Sequence, residues 1–448
     1  MKRIIFTLSM ASLAFLASCG KENTNVDDGK QDSITTISSS TTELKGYMRG
    51  TLLAGKTYYL VSDLIVPENE TITVEPGVTV IAVGDGTGIG PEITVGGTFA
   101  ALGTKAQPIT FTVPADKNNI SNIFAGLWGG FQCKTTAKAL VLKWCRSEYL
   151  GGEGGPASPR AGKSRYGFSS LDPNTEIVVE DCYFRGSVDD MFRPNGGKIH
   201  LVRNVFEFAG ETGGDGLNIK GGTVGNMAYN LFIGGATNAY KVSNEGSSTV
   251  QTNVNVYNNI AINCGYRRAG NTRGANINYE VGARGYAYNN IVVNCKRGMR
   301  VLEDGDLQNI KFDHNLYFAA HQAMVDEFIP TDATTPTTTV LGTNNIIGKA
   351  GENDPMFVNV NLNQFTLADF EAGSAQPQAM NEKGTMDFRL KSGSPCIGKG
   401  KTDFSPVSVQ WVHATGALAP SNAAPNKDLG AFPTDNSGNQ YFYNTVIG

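Results

Sequence analysis

The 448-residue chain carries little charge and lacks the cysteine and histidine clusters that bind zinc. Charged residues make up 17% of it, and neither a Cys-x-x-Cys pair nor a Cys/His cluster occurs, which argues against a zinc site. A basic stripe is also missing, so no nucleic-acid partner is expected. Glycine, in contrast, is abundant at 54 residues, which is typical of a turn-rich β protein and argues against disorder.

A short repeat runs down the middle of the chain. An Asp or Asn followed by an apolar run recurs at successive spacings of 23, 26, 29, 31 and 25 residues. Such a period predicts a solenoid, and the alternation of apolar residues predicts that each unit is made of strands. We expect the column to be a structural ladder of stacked side chains, whose members are Asp181, Asn204, Asn230, Asn259, Asn290 and Asn315.

Both ends of the chain carry motifs of a known fold. Ile72-Thr-Val-Glu-Pro-Gly-Val-Thr-Val80 resembles the opening coils of exported bacterial β-helix proteins, and Asp428-Leu-Gly-Ala-Phe432 resembles their closing coils. The resemblance, to the pectate-lyase-like superfamily, implies an all-β, right-handed parallel β-helix solenoid with N-terminal capping coils and a C-terminal closing region. The predicted divisions are a signal peptide at 1–19, a flexible tether at 20–45, capping coils at 46–115, the β-helix at 116–330 and a closing region at 331–448.

The N-terminus predicts export. Lys2 and Arg3 precede an apolar run at 4–16 that is too short to span a membrane. The sequence Leu-Ala-Ser-Cys at 16–19 resembles the bacterial lipobox, which implies that Cys19 becomes the lipidated first residue after cleavage. We therefore expect an outer-membrane lipoprotein at the cell surface, attached to the membrane only through its lipid anchor.

The remaining six cysteines fit the repeat. Cys264 and Cys295 each lie four residues after the repeat's first isoleucine, so they should stack on neighbouring coils. A free cysteine behaves as a small hydrophobic residue, which favours buried thiols. A Cys264–Cys295 disulfide is the alternative, since an exported protein can carry disulfides.

A second rung of each coil carries the charged residues that could form a site. Asp189 and Asp190 begin one such rung, Asp215 the next and Asn238 the one after. Outward side chains on successive rungs lie about 4.8 Å apart, so these rungs should form a charge ladder along a groove. The aspartates Asp189, Asp190 and Asp215 could bind Ca²⁺, which prefers oxygen ligands.

The same rungs suggest a reaction. Asp215-Gly-Leu-Asn-Ile-Lys220 is similar to an Asp-Gly-x-x-x-Lys signature of some pectate lyases. That resemblance implies β-elimination on an acidic polysaccharide, with Lys220 as the base and Asp215 near a metal ion. Lys241 is the alternative base, and Arg193 could neutralise the substrate carboxylate.

The signature is incomplete, so a second function class stays open. The other calcium-binding aspartates of those lyases cannot all be placed here, and the Gly-His-Gly motif of polygalacturonase-like enzymes is absent. A non-catalytic glycan-binding or adhesion solenoid would have the same fold, because a fold does not dictate a reaction.

Overall fold

The protein is a right-handed parallel β-helix, which confirms the predicted fold class. A computed structural model describes residues 33–156, 158, 160–268, 274–329, 337–373 and 386–440. Within these ranges, 30 parallel strands follow one another around the solenoid. From Thr71–Val74 to Ile291–Val293, each strand pairs with the third one after it, so each coil contributes three strands to three sheets, here called sheets I, II and III. The described α-helices are short: Gln322–Asp326, Thr337–Val340 and Leu367–Glu371.

The strands divide among the sheets as follows. Sheet I contains Thr71–Val74, Thr98–Leu102, Ala139–Lys143, Glu176–Glu180, Gly197–Val202, Thr223–Ala228, Asn253–Tyr257, Gly285–Tyr288 and Ile310–Asp313. Sheet II contains Thr79–Ala82, Ile109–Thr112, Cys145–Leu150, Tyr183–Ser187, Val205–Ala209, Leu231–Ile233, Ile260–Ile262, Ile291–Val293, Leu316–Phe318 and Ile346–Ile347. Sheet III contains Ile93–Val95, Phe131–Cys133, Phe168–Ser170, Phe192–Pro194, Leu217–Ile219, Tyr240–Ser243, Ala275–Glu280 and Arg297–Val301.

Longer strands start the solenoid at its N-terminal end. Thr35–Thr36 pairs with Glu43–Leu52, which in turn pairs with Thr57–Val66. The two longer strands also pair with strands of more than one sheet. The strands of the predicted capping coils pair in register with strands beyond residue 116, so both regions lie in one solenoid. Outside it, Phe357–Asn359 and Asp387–Leu390 form an antiparallel pair.

The core lies inside the coils and is filled by side chains from alternate positions of each strand. Phe184, Phe206 and Phe232 of sheet II stack on one another, with ring centroids 5.4 and 5.6 Å apart. Each is fully buried, and burying such a side chain stabilises the fold by about 1.5–3 kcal/mol. Parallel in-register pairing repeats the same side chain on successive coils, which is why the sequence repeat predicted the fold.

The predicted asparagine ladder is present. The side-chain amides of Asn204, Asn230, Asn259 and Asn290 each donate to the side-chain oxygen of the next member at 2.9–3.1 Å. Their backbone N–H groups donate to the same oxygens, and the ladder runs on through Asn315 to Asn345. The amides therefore satisfy buried polar groups at the corner between sheets I and II.

One predicted ladder member is wrong. The position that aligns with Asn204 is Cys182, whose backbone N–H donates to the Asn204 side-chain oxygen at 3.0 Å. Asp181 lies one residue earlier, has a left-handed backbone with φ of 53°, and forms an ion pair with Arg203 at 2.8 Å. The residue before each ladder position turns the corner in this conformation, which Asp and Asn adopt more readily than most residues.

The six described cysteines are free and buried, as predicted. The strands Ile260–Ile262 and Ile291–Val293 pair in register, so Cys264 and Cys295 occupy equivalent positions on adjacent coils. The alternative disulfide between them is not formed.

The C-terminal region turns back along the solenoid. After Ile346–Ile347 joins sheet II, the chain leaves the coils, and residues 401–426, here called the return strap, run along the outer face of sheet I. The Glu176 carboxylate accepts the backbone N–H groups of 412, 413 and 414 at 2.6–2.8 Å. Residues 429–432 pack on the outer, apolar side of sheet II. The C-terminal region thus covers sheets I and II.

The predicted signal peptide, Cys19 and residues 20–32 of the predicted tether lie outside the described residues. In the part of the chain that is described, no helix combines the length and apolar character needed to cross a bilayer.

Candidate functional site

The outer face of sheet III carries an alternating column of cations and amides. Strand register places the following side chains on successive rungs: Arg193, Asn218, Lys241, Asn278 and Arg300. Each lies between two inward-facing core residues of its strand, so each points outward. We call this set the polar column. It places a cation on every second rung.

An aspartate column lies in the turn before these strands. The Asp215 backbone N–H donates to Oδ1 of Asp190 at 2.6 Å, and the Asn238 backbone and side-chain N–H groups donate to Oδ1 of Asp215 at 3.1 and 2.6 Å. The structure therefore stacks Asp190, Asp215 and Asn238 as the repeat predicted. These carboxylates accept hydrogen bonds from the backbone N–H groups of the next turn, which is a structural role.

Asp190 also binds the polar column. Its Oδ2 accepts from Nη1 of Arg193 at 3.0 Å and from Nδ2 of Asn218 at 2.8 Å. Both of its oxygens are thus occupied by protein donors. The carboxylate fixes the arginine and the asparagine amide in one orientation, because charge-assisted hydrogen bonds are the stronger kind.

Asp189 diverges from the other two aspartates. Its side chain is 37% exposed and lies 3.7 Å from Nη2 of Arg160. Arg160 and Arg193 both lie over the Tyr166 ring, at 3.9 and 4.7 Å from its centroid. Asp189 therefore belongs to a neighbouring cluster at the edge of the polar column.

The two candidate bases are both ion-paired with glutamates that the sequence reasoning missed. Nζ of Lys220 binds the Glu245 carboxylate, and Nζ of Lys241 lies 3.0 Å from Oε1 of Glu280. The Lys220 side chain is 4% exposed, whereas that of Glu245 is 62% exposed. Strand alternation could have identified Glu280, which faces outward two residues after Asn278. Glu245 lies in a turn, where no periodic signal marks it.

Burial and neighbouring charges shift the acid–base properties of this face. Burial, followed by the charge of Lys241, lowers the pKa of Lys220. Burial and the charge of Asp190 raise the pKa of Asp215 to about 6. Burial raises the pKa of Asp189 as well. A lysine with a lowered pKa has a larger neutral fraction near pH 7, which is the form that can accept a proton.

Two buried acceptors on the polar column have no hydrogen-bond partner. Oδ1 of Asn218 and Oδ1 of Asn278 are both in this state, and the residues are 3% and 1% exposed. Their Nδ2 groups are held by Asp190 and Glu280, at 2.8 and 2.9 Å, so the oxygens cannot rotate away from the face without losing those bonds. Leaving such buried acceptors without a donor costs free energy.

The predicted calcium ligands do not form a built metal site. Among the described residues, no group of three or more His, Cys, Asp or Glu side chains is arranged to hold a metal ion. Both carboxylate oxygens of Asp190 accept hydrogen bonds from protein donors, and the Asp189 carboxylate lies beside Arg160. We therefore derive no step through a metal, and calcium stays a prediction.

The comparisons with known proteins agree with this architecture. Residues 46–140 match the family model of the pectate-lyase-like beta helix domain. No curated protein matches the chain. The match lies at the N-terminal end of the solenoid, before the aspartate column and the polar column, so it supports the fold and leaves the candidate site to be argued from its own geometry.

Proposed function

We propose that the protein binds an acidic polysaccharide along the outer face of sheet III. The observation that carries this is the alternation of the polar column, which repeats a cation at every second rung, roughly 9–10 Å apart. Asp190 and Glu280 already pair with Arg193 and Lys241, so an extended polymer with regularly spaced carboxylates would share or exchange these partners as it binds along the row.

We propose further that the polysaccharide is cleaved by β-elimination, with Lys220 as the base. The neutral Lys220 amine takes the proton at C5 of a uronic acid, and the C5–H electron pair forms the C4–C5 double bond. The C4–O4 bond breaks, and the leaving oxygen takes a proton from solvent. Arg193 or Lys241 neutralises the substrate carboxylate, which stabilises the charge that develops. Lys241 is the alternative base.

A non-catalytic glycan-binding or adhesion role is the second candidate. Glu245 pairs with Lys220 and lowers the fraction of neutral amine, and Asp190 is committed to hydrogen bonds within the protein. Both candidates use the same face for binding and differ only in turnover. Attachment to the outer membrane through a lipid on Cys19, with display at the cell surface, is likewise our proposal.

Formation of an unsaturated product tests the catalytic proposal. The full chain is incubated with polygalacturonate, alginate and other polyuronates, with and without Ca²⁺, and ultraviolet absorbance of the new double bond is followed. We expect activity on at least one substrate and its loss in Lys220→Met. Lys143→Met is the matched control, because Lys143 is partly buried and also paired with a glutamate, at 3.4 Å, but lies on sheet I.

The outcomes separate the two candidates. Binding of a polyuronate with no absorbance change on any substrate would favour the non-catalytic role. Activity that survives in Lys220→Met would remove Lys220 as the base and shift the assignment to Lys241.

A further inference from the structure

A cavity at the N-terminal end of sheet III is separate from the polar column. Its volume is about 890 Å³, which lies within the range of roughly 300–1,000 Å³ that is usual for small-molecule sites. Ile65 and Thr94 line it, and they occupy the same outward column that continues through Gln132 and Ser169 to Arg193. Two rungs, those of Gln132 and Ser169, therefore lie between Thr94 and the first cation of the polar column.

One buried arginine holds the walls of this cavity in place. The Arg165 guanidinium donates to the Gly90 carbonyl on one wall and to the Gly152 carbonyl, at 2.9 Å, beside the other. It also donates to Oε2 of Glu92 at 2.7 Å. A Cβ on Gly129 would lie 2.4 Å from the guanidinium carbon, so glycine leaves the room that Arg165 needs. The cavity is thus preformed, which lowers the entropic cost of binding a ligand.

The charges around the cavity disfavour an anion. The charged lining residues are Asp63, Glu68, Asp85, Glu92, Lys134 and Arg165. Glu92 and Arg165 neutralise each other, which leaves three carboxylates against one lysine. Hydrogen bonds from Thr87 lower the pKa of Asp85, so this carboxylate stays ionised near neutral pH. An acidic sugar would meet net repulsion here.

The remaining lining groups suit a polyhydroxylated ligand with apolar C–H faces. Hydroxyl groups of Ser62, Thr94 and Thr135 join the carboxylates, which only accept hydrogen bonds when ionised. Apolar side chains line the same space: Tyr47, Ile65, Pro67, Ile89, Pro91 and Pro156. Hydrogen-bond acceptors beside apolar surface match a sugar ring, which donates through its hydroxyls and packs through its C–H groups.

We propose that this cavity is a second ligand site, which binds an uncharged sugar and rejects the corresponding uronic acid. The two sites on sheet III would then recognise different chemistry, acidic units at the polar column and neutral units at the cavity. The inference does not depend on catalysis or on binding at the polar column.

Matched pairs of sugars test it by saturation-transfer NMR on the full chain. The probes are glucose with glucuronic acid, galactose with galacturonic acid, and mannose with mannuronic acid. We expect at least one neutral sugar to bind and its uronic acid to bind about tenfold more weakly, because of the carboxylates at the rim. Asp63→Asn combined with Glu68→Gln should narrow that difference.

Two cavity variants locate the binding. Ile65→Trp fills the floor of the cavity and should abolish the saturation-transfer signal. Ile89→Trp lies at the mouth of the cavity and should weaken the signal. The second variant keeps the test valid should Ile65→Trp fail to fold. Ile347→Trp is the control, since Ile347 is 39% exposed against 37% for Ile89 but lies outside the cavity.

Three results would overturn the proposal: no probe binds, a uronic acid binds as well as its neutral partner, or binding survives in both cavity variants. Lys220→Met and Lys241→Gln should leave neutral-sugar binding unchanged. Loss of the signal in those variants would move the site to the polar column and contradict the proposal.

Discussion

At the scale of single residues, Glu207 is a carboxyl group whose acidity the fold alters strongly. It is fully buried on the outer side of sheet II, where Oη of Tyr183 donates to it at 2.7 Å and Nε of Arg185 lies 3.5 Å away. Arg146 and Glu148 lie in the same cluster, 2.6 Å apart. Burial raises the pKa of Glu207 to about 7, against 4.5 for an ordinary glutamate.

This shift predicts a pH-dependent stability. Because the folded pKa lies above the unfolded one, the folded state binds more protons between pH 4.5 and 7, and the free energy of unfolding falls as pH rises through that window. The buried charge should therefore cost on the order of 3 kcal/mol above pH 7. We expect Glu207→Gln to be more stable than the unmodified protein at pH 8, with a flatter slope, as measured by urea unfolding at a series of pH values.

Comparing Glu207→Gln with the unmodified protein isolates the contribution of Glu207 to the pH dependence of stability. Asp215, whose pKa is raised to about 6, adds a slope of the same sign that is present in both proteins. Glu43→Gln on the exposed side of strand Glu43–Leu52 serves as the control and should leave the slope unchanged. Identical pH slopes for Glu207→Gln and the unmodified protein would contradict the prediction.

Individual residues also show which structural roles could be predicted from the sequence alone. Asn204, Asn230 and Asn259 could be recognised because each precedes a similar apolar run at a similar spacing. Asp181 was placed on the ladder because it also precedes such a run, but its side chain sits one residue too early and turns the corner instead. Glu245 could not be found at all, since its partnership with Lys220 depends on how a turn folds over the sheet.

At the scale of elements, the return strap is the feature that closes one side of the solenoid. Two buried glutamates of sheet I hold it: Glu176 accepts three backbone N–H groups, and Glu180 accepts the backbone and side chain of Ser421 at 2.6 and 2.7 Å. Burial would raise the pKa of Glu180, but the neighbouring His200, followed by the bonds from Ser421, lowers it to about 2, so Glu180 keeps its bonds to the strap in mild acid.

Neutralising Glu176 should loosen the strap without unfolding the coils. Charge-assisted hydrogen bonds contribute about 1.5–3 kcal/mol each, so Glu176→Gln should weaken local docking by a few kcal/mol. We expect faster hydrogen–deuterium exchange at 411–415 and unchanged exchange in sheet III. Val412→Ala is the control, because the Val412 side chain is 57% exposed while its backbone bond to Glu176 is retained. Unchanged exchange in Glu176→Gln would show that the strap is held by other contacts.

Sequence reasoning predicted a C-terminal closing region but left open where it lies. Strand alternation makes Val141 and Val178 face outward on sheet I, where apolar side chains need a cover. The strap supplies Trp411, Ala414 and Leu418 to that patch. The apolar outer face of sheet I could therefore be predicted from the sequence. The segment that covers it could not, because its residues follow no periodic pattern.

At the scale of the whole molecule, the three sheets have different outer environments. Segments of the C-terminal region cover sheets I and II, whereas sheet III carries the cavity and the polar column on a single face. Stacked coils make such a face long and regular, which suits an extended polymer. We propose that the polar column on this face binds an acidic polysaccharide by pairing its regularly spaced cations with the polymer's carboxylates.

The most direct test is the affinity of immobilised polygalacturonate and alginate for the full chain, for Lys241→Gln and for Lys311→Gln, at increasing NaCl concentration. Lys241 is the central cation of the polar column, whereas Lys311 lies on sheet I. We predict that at least one polymer binds, that salt weakens its binding, and that Lys241→Gln binds about tenfold more weakly while Lys311→Gln is unchanged. Equal affinity of all three proteins, or no binding to either polymer, would contradict the claim.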